Sequence, residues 1–231
     1  IKLMKICLLS DIHGNYEALK ECIREAKELG VKRFISLGDY VGYYYEPHKC
    51  IDLLLKINAT CIRGNHENIF LDIKKDKKKL DFYVSKYGNG IKIALRKLKN
   101  KHIKFLKKLP KIKKINLDGK KAILCHGSPW STDEYIYPNK FSIYKERLKK
   151  FDYDFIFLGH THYQMEKKIS KKIIINPGSV GQPRDGGNLA KWAILDTSNN
   201  KCFLKKTKFN REKVIKQVIV NDKSKKSLIK Y

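Results

Sequence analysis

The amino-acid sequence predicts an α/β fold, and three observations predict it. Short apolar runs alternate with helix-period stretches through the first third of the chain, a Lys-rich segment at about 67–109 reads as helical, and the remainder breaks into short apolar runs separated by turn signals. A chain of 231 residues with an apolar fraction of 42% can bury a sizeable core. No internal repeat and no linker-like stretch divides it, so residues 1–231 read as a single domain.

The elements follow in order. Met4 to Leu9 is an apolar run that ends at Ser10-Asp11 without a small-residue cleavage site, which marks a buried strand and not a signal peptide. Leu19, Cys22, Ile23, Ala26 and Leu29 recur at helical spacing, and Gly30 stops that helix. Phe34 to Leu37 reads as a second strand, ending at Gly38-Asp39. Pro47 opens a helix whose apolar face includes Ile51, Leu54 and Leu55. Ala59 to Ile62 is a third strand, and this alternation argues for parallel βαβ units. From 67 to 109 two or three helices with solvated basic faces are expected. One carries the stripe Leu95, Leu98, His102, Phe105, Leu106 and Leu109, closed by Pro110.

Ile112 to Leu117 and Ala122 to Cys125 flank Asp118-Gly119, a hairpin signal. Phe155 to Leu158, Ile173 to Ile175, Trp192 to Leu195 and Cys202 to Leu204 are further strands, the last two joined at Asn199-Asn200. Asn210 caps a final helix, and the Lys-rich tail from about 222 is expected to fray.

Composition excludes some functions and leaves others open. No apolar run approaches the ~20 residues of a membrane-spanning helix, so a soluble cytoplasmic protein without membrane partners is expected. The six cysteines form no C-x-x-C pair and sit mostly in apolar surroundings, which reads as packing in a reducing compartment. Net charge is +28, the footprint of a polyanion binder. Yet 44 of the 51 basic residues are Lys and only 7 are Arg, the side chain that reads phosphates two oxygens at a time. Abundant Lys and Ile with few Gln and Met resemble thermophile composition, so nucleic acid is not the favoured partner.

Five polar clusters each close a strand: Asp11-Ile12-His13, Gly38-Asp39, Gly64-Asn65-His66-Glu67, Cys125-His126-Gly127 and Gly159-His160-Thr161-His162. Ligands of open α/β sheets gather beyond the carboxyl ends of strands, so five chain-distant clusters can converge. Carboxylate, imidazole and amide donors without thiolate suit Mn, Fe, Co, Ni or Zn in a non-structural site. A single D-x-H or H-x-H is weak; five in order, each at a strand end, are not.

These motifs, standing as DIHGN, GDYVG, GNHE, HGSP and GHTH, with NPGSVGQPR at 176–184, closely resemble those of the calcineurin-like metallophosphoesterase superfamily, and in particular its small archaeal and bacterial phosphodiesterase-like members. The resemblance runs from residue 5 to about 196. It implies a two-sheet β-sandwich flanked by helices, a four-layer α/β/β/α arrangement. It further implies two divalent transition-metal ions, manganese ahead of nickel, cobalt, iron and zinc. Asp11, His13 and His162 would hold one ion, Asn65, His126 and His160 the other, and Asp39 would bridge them. A metal-bridging hydroxide would be the nucleophile and His66 the general acid.

The activity implied is hydrolysis of a phosphodiester, with a small or nucleotide-like substrate as the partner. The alternatives are a phosphomonoesterase (protein phosphatase or diadenosine tetraphosphate hydrolase type) and a non-catalytic scaffold of the same fold. Intact His66 and all seven ligand positions favour the enzyme. Where the protein phosphatases carry G-D-x-V-D-R-G, this chain has Gly38-Asp39-Tyr40-Val41-Gly42-Tyr43-Tyr44, so their phosphate clamp is not reproduced. Arg184 is the better substitute for it than Arg63. Tyr43, Tyr44 and Tyr45 are expected to divide between cleft and core, and the helical segment to build one cleft wall. Nothing in the sequence fixes the oligomeric state.

Overall fold

A computed structural model describes residues 5–222 and Leu228. In chain order its elements are β1 (Lys5–Leu9), α1 (Tyr16–Glu28), β2 (Arg33–Ser36), α2 (Pro47–Lys56), β3 (Thr60–Cys61), α3 (Asn65–Lys75), a 3₁₀ turn, α4 (Leu80–Tyr87), α5 (Gly90–Lys97) and α6 (Asn100–Lys108). There follow β4 (Ile112–Leu117), β5 (Lys120–Cys125), a second 3₁₀ turn, α7 (Phe141–Lys149), β6 (Phe155–Phe157), β7 (Gln164–Ile169), β8 (Lys172–Pro177), β9 (Ala190–Asp196), β10 (Lys201–Thr207) and α8 (Arg211–Asn221).

Two five-stranded mixed sheets form, ordered β10-β9-β1-β2-β3 and β4-β5-β6-β8-β7. The parallel pairs are β1 with β2, β2 with β3, β5 with β6, and β6 with β8. Side-chain alternation sorts each central strand between two cores. Ile6, Leu8, Ile35 and Leu37 meet Leu124, Phe155, Phe157 and Ile175 between the sheets. Cys7, Leu9 and Phe34 face outward onto Leu19, Cys22, Ile51 and Leu54 of α1 and α2. On the far side Ile123, Ile156 and Ile174 pack on Phe141 and Leu148 of α7. The layers are therefore α/β/β/α, and burial on both faces is why these strands read as unbroken apolar runs.

Local signals act where expected. The Asn15 and Asn210 side chains accept the Ala18 and Lys213 N–H and cap α1 and α8. Pro47 opens α2. Asp118 and Gly119 both adopt positive φ at the β4–β5 turn.

The structure also corrects several expectations. The 67–109 segment contains four α-helices in place of two or three, beginning at Asn65. The stripe from Leu95 to Leu109 crosses a break, because Leu98 is extended (ψ 117°) and separates α5 from α6. Leu29 and Leu55 face outward, at 38% and 42% exposed. Asp222, expected to fray, is buried and accepts hydrogen bonds from the Tyr45 hydroxyl at 2.8 Å and the Asn89 N–H at 2.9 Å. Met4 and the tail at 223–227 and 229–231 lie outside the described residues. Among those described, no helix is long and apolar enough to cross a membrane.

Candidate metal centre

All five clusters converge at the carboxyl ends of β1, β2, β3, β5 and β6. Three buried groups bring ligand atoms within 4.8 Å of one another: Asp11, His13 and His162; Asp39, His126 and His160; and His13, Asp39 and His66. Asp39 Oδ2 lies 3.6 Å from His13 Nε2 and 3.3 Å from His126 Nε2, at the junction of the first two groups. Asn65 Oδ1 is 3.0 Å from His126 Nε2. The expected seven ligands therefore stand together.

The backbone achieves this by an unusual device. Asp11, His13, Asp39, His160 and His162 all adopt left-handed backbone, with φ between 51° and 66°. Such a conformation is strained for non-glycine residues and persists only where the surroundings over-determine it. Here they do: Asp11 N–H donates to Gly38 O (3.1 Å), His13 N–H to Asp39 O (2.8 Å), and the Asp11 carboxylate accepts the His160 N–H (3.0 Å). In each i, i+2 pair the middle residue anchors the turn, Ile12 in the apolar core and Thr161 on Asn176. Gly64 is required for close approach, since a Cβ there would meet Asp39 Oδ1 at 2.1 Å.

The histidine rings are oriented from behind. His13 Nδ1 lies 3.0 Å from Val41 O, His126 Nδ1 2.7 Å from Leu37 O, and His162 Nδ1 2.5 Å from Gln182 O. A carbonyl only accepts, so each Nδ1 donates and each Nε2 turns inward. His13 Nε2 and His162 Nε2 then face one another at 3.2 Å, an opposition that a cation relieves. Asp11 Oδ1 and His160 Nε2 are buried without a hydrogen-bond partner. Orphaned acceptors on a carboxylate and an imidazole, pointed into a common centre, are what bound divalent cations require.

Buried charges in the cage act directly on one another. Burial lowers the pKa of His13, His66 and His160, to about 4 for His66 and about 3 for His160. Burial disfavours charge on His126 too, but the Asp39 and Asp11 carboxylates overcome it and raise its pKa to about 10. Burial likewise opposes ionisation of Asp11, and His162 and His126 outweigh it.

His66 packs edge-on to His13, with ring centroids 4.7 Å apart, and to Tyr87, at 4.8 Å. Its ring rests on Gly42, where a Cβ would come within 2.4 Å of Nδ1. A cleft of about 270 Å³ opens over the centre, lined by Asp39, Asn65, His66, His160 and His162 below and by Tyr43, Lys86, Tyr87, Tyr135 and Arg184 at its rim. Arg184 donates to the Tyr43 hydroxyl at 3.1 Å. Arg63 turns away to Lys107 O at 2.6 Å. Tyr44 and Tyr45 pack in a core, whereas Tyr43 reaches the cleft. Helix α4 supplies Lys86 and Tyr87, so the helical segment does build one wall.

Sequence reasoning missed Tyr135 and Lys191, and named Glu67 only as part of the GNHE cluster. Glu67 is fully buried and accepts N–H groups from Gly64 (2.9 Å), Asp39 (2.8 Å), Tyr40 (2.7 Å) and Val41 (3.3 Å). It caps α3 and pins the Asp39 loop. Burial and the nearby Asp39 charge raise its pKa to about 7, against the pull of those backbone N–H groups. Tyr135 lies 3.9 Å from the His160 ring and carried no local signal in the sequence. Lys191, buried, holds Asp185 at 2.5 Å beside Arg184.

Fold and site together define a metal-binding hydrolase of the α/β/β/α sandwich class. The chain belongs to the calcineurin-like phosphoesterase superfamily, whose domain profile matches residues 4–200, and it is a phosphoric ester hydrolase. It is 36% identical over 235 residues to the uncharacterized protein MJ0912 of Methanocaldococcus jannaschii, covering 94% of this chain and 92% of that protein. It is 22% identical to Phosphodiesterase YfcE of Escherichia coli, over 95% of this chain and all of that one. The crystal structure of a metallophosphoesterase from Sphaerobacter thermophilus superposes with a TM-score of 0.78 at 26% identity, covering 98% of this chain and 97% of that one.

Proposed function

We propose that the protein is a dinuclear metal-dependent phosphodiesterase acting on a small or nucleotide-like substrate. The observation that carries this reading is the place of Asp39, one carboxylate oxygen of which faces both ligand groups. Asp11, His13 and His162 would hold one cation, Asn65, His126 and His160 the other, and Asp39 both. When bound, two such cations, manganese foremost, would supply Lewis-acid activation of the phosphoryl group and acidification of water.

The chain's own groups do the rest. Arg184, held by Tyr43, and Lys86 bring positive charge to the cleft rim and orient the phosphate. His66, expected as the general acid, is kept neutral by burial, so its ring N–H donates a hydrogen bond to the leaving oxygen and stabilises the charge that develops there, while the proton comes from solvent. Glu67 fixes the Asp39 loop so that the ligand carboxylate needs no reorganisation on binding. The similarity to YfcE, named a phosphodiesterase, supports a diester over a monoester.

Metal analysis of the purified protein, paired with chromogenic mono- and diesters, tests this reading. Two equivalents of metal per chain and faster diester hydrolysis are expected, with Asp39→Asn lowering both metal content and rate. A protein that binds one equivalent, or none, and hydrolyses neither ester with Mn, Ni or Co would overturn it.

A further inference from the structure

A second cavity, of about 500 Å³, lies beside the cleft and is lined by Tyr137, Pro138, Asn139, Lys140 and Tyr163. It is joined to the metal centre by rings. Tyr135 packs on the His160 ring at 3.9 Å. Tyr137 stacks parallel to Tyr135 at 5.6 Å with only 8° between planes, and Tyr163 meets Tyr137 edge-on at 5.6 Å. The three tyrosines come from two loops, one after β5, which also carries His126, and one after β6, which also carries His160 and His162.

These rings are unusual in what they leave uncovered. Tyr135 is 42% exposed, and Tyr137 and Tyr163 are half-buried, although each is ordered by its neighbour. A surface file of tyrosines has a cost in exposed apolar area that a packing role would remove by burial. It starts at a ligand of the centre that takes a phosphate and ends at Lys140, on a chain of net charge +28. Exposed aromatic faces beside a cationic side chain, next to a phosphate-binding centre, are the features that hold unpaired bases and their phosphates.

We propose that Tyr135, Tyr137 and Tyr163, with Lys140, form a subsite for the nucleobases flanking the scissile phosphate. The substrate class is then a single-stranded oligonucleotide or dinucleotide diester, and a duplex, whose bases are already stacked, does not enter. This inference rests on the phosphodiesterase reading above and narrows its substrate. Tyr137 and Tyr163 lie outside the cleft that takes the phosphate, so their loss touches only what extends beyond it.

The test compares two substrates of the Mn-loaded enzyme: methyl p-nitrophenyl phosphate, too short to reach Tyr137 and Tyr163, and a thymidine trinucleotide. A Tyr137→Ala/Tyr163→Ala variant is expected to retain kcat/KM on the short diester and to lose roughly tenfold or more on the trinucleotide, the usual worth of a lost base stack. Tyr137→Phe/Tyr163→Phe, which keeps the rings, is expected to restore it. Equal loss on both substrates, or no loss on either, would overturn the subsite while leaving the phosphodiesterase intact. So would a wild-type enzyme that cleaves the short diester as efficiently as the trinucleotide. If the wild type cleaves neither, the phosphodiesterase reading itself fails.

Discussion

Single residues decide the chemistry because the centre has so little slack. His66 touches His13, Tyr43 and Tyr87 by ring contacts alone, and its backbone N–H holds Asp39 Oδ1 at 2.9 Å. His66→Ala keeps that backbone bond and the seven ligand side chains. It is therefore expected to retain both metals by elemental analysis while kcat falls by about 10²–10³, the ordinary worth of a positioned hydrogen-bond donor to a developing oxyanion. Full turnover by the metal-replete variant would remove His66 from the mechanism. Gly42 sits beneath the same ring at φ 89°, where an added Cβ meets Nδ1. Gly42→Ala should cost at least ~1–2 kcal/mol in denaturant unfolding from backbone strain alone, and should also displace His66.

At the scale of elements, the site depends on loops that carry their own fastenings. The segment between β8 and β9 brings Arg184 to the cleft and Gln182 O behind His162. Its fastening is the buried Lys191, which binds Asp185, while Asp185 Oδ2 accepts the Gln164 N–H at 2.9 Å. Lys191→Met leaves that carboxylate without its partner. Asp185, 17% exposed, keeps part of its hydration and the Gln164 N–H, so the loss is about 1–3 kcal/mol, and the released loop should raise KM more than it lowers kcat. A variant with unchanged KM would show that Arg184 keeps its place without Lys191. The loop from Gly38 to Val41 has Glu67 in the same role. Glu67→Gln turns one of two acceptor oxygens into a donor facing N–H groups, so a loss of at least ~1.5–3 kcal/mol is expected in chemical denaturation.

For the whole molecule, the ten strands and eight α-helices of the described residues hold together a cage whose candidate ligands repel one another or stand unsatisfied unless cations are bound. Cations that bind only the folded state stabilise it by mass action, by about 4 kcal/mol at a thousandfold excess over Kd. For a chain of this length that corresponds to roughly 10 °C in Tm. Calorimetry with and without EDTA, then with Mn restored, should reveal a reversible shift of that size. An unchanged Tm would mean that the centre does not hold metal in solution.

Much of this was legible in the sequence. Strand-closing motifs named the candidate ligand set, because a metal site needs particular donor atoms and donor atoms are side-chain identities. The apolar runs named the central strands, because burial on both faces leaves no polar alternation to hide them. Two elements escaped for the opposite reason: β7 (Gln164–Ile169) buries only Met165 and Ile169, and α7 only Phe141 and Leu148, too few to leave a period. Donor types and their order along the chain, hence the family and its reaction class, were determined by the sequence alone. Which side chains meet across chain distance was decided only by the tertiary structure: Glu67 clamping the Asp39 loop, Lys191 holding the Arg184 loop, and Tyr135 laid on His160. Such contacts depend on two loops arriving at one place, and no local pattern encodes where a loop arrives.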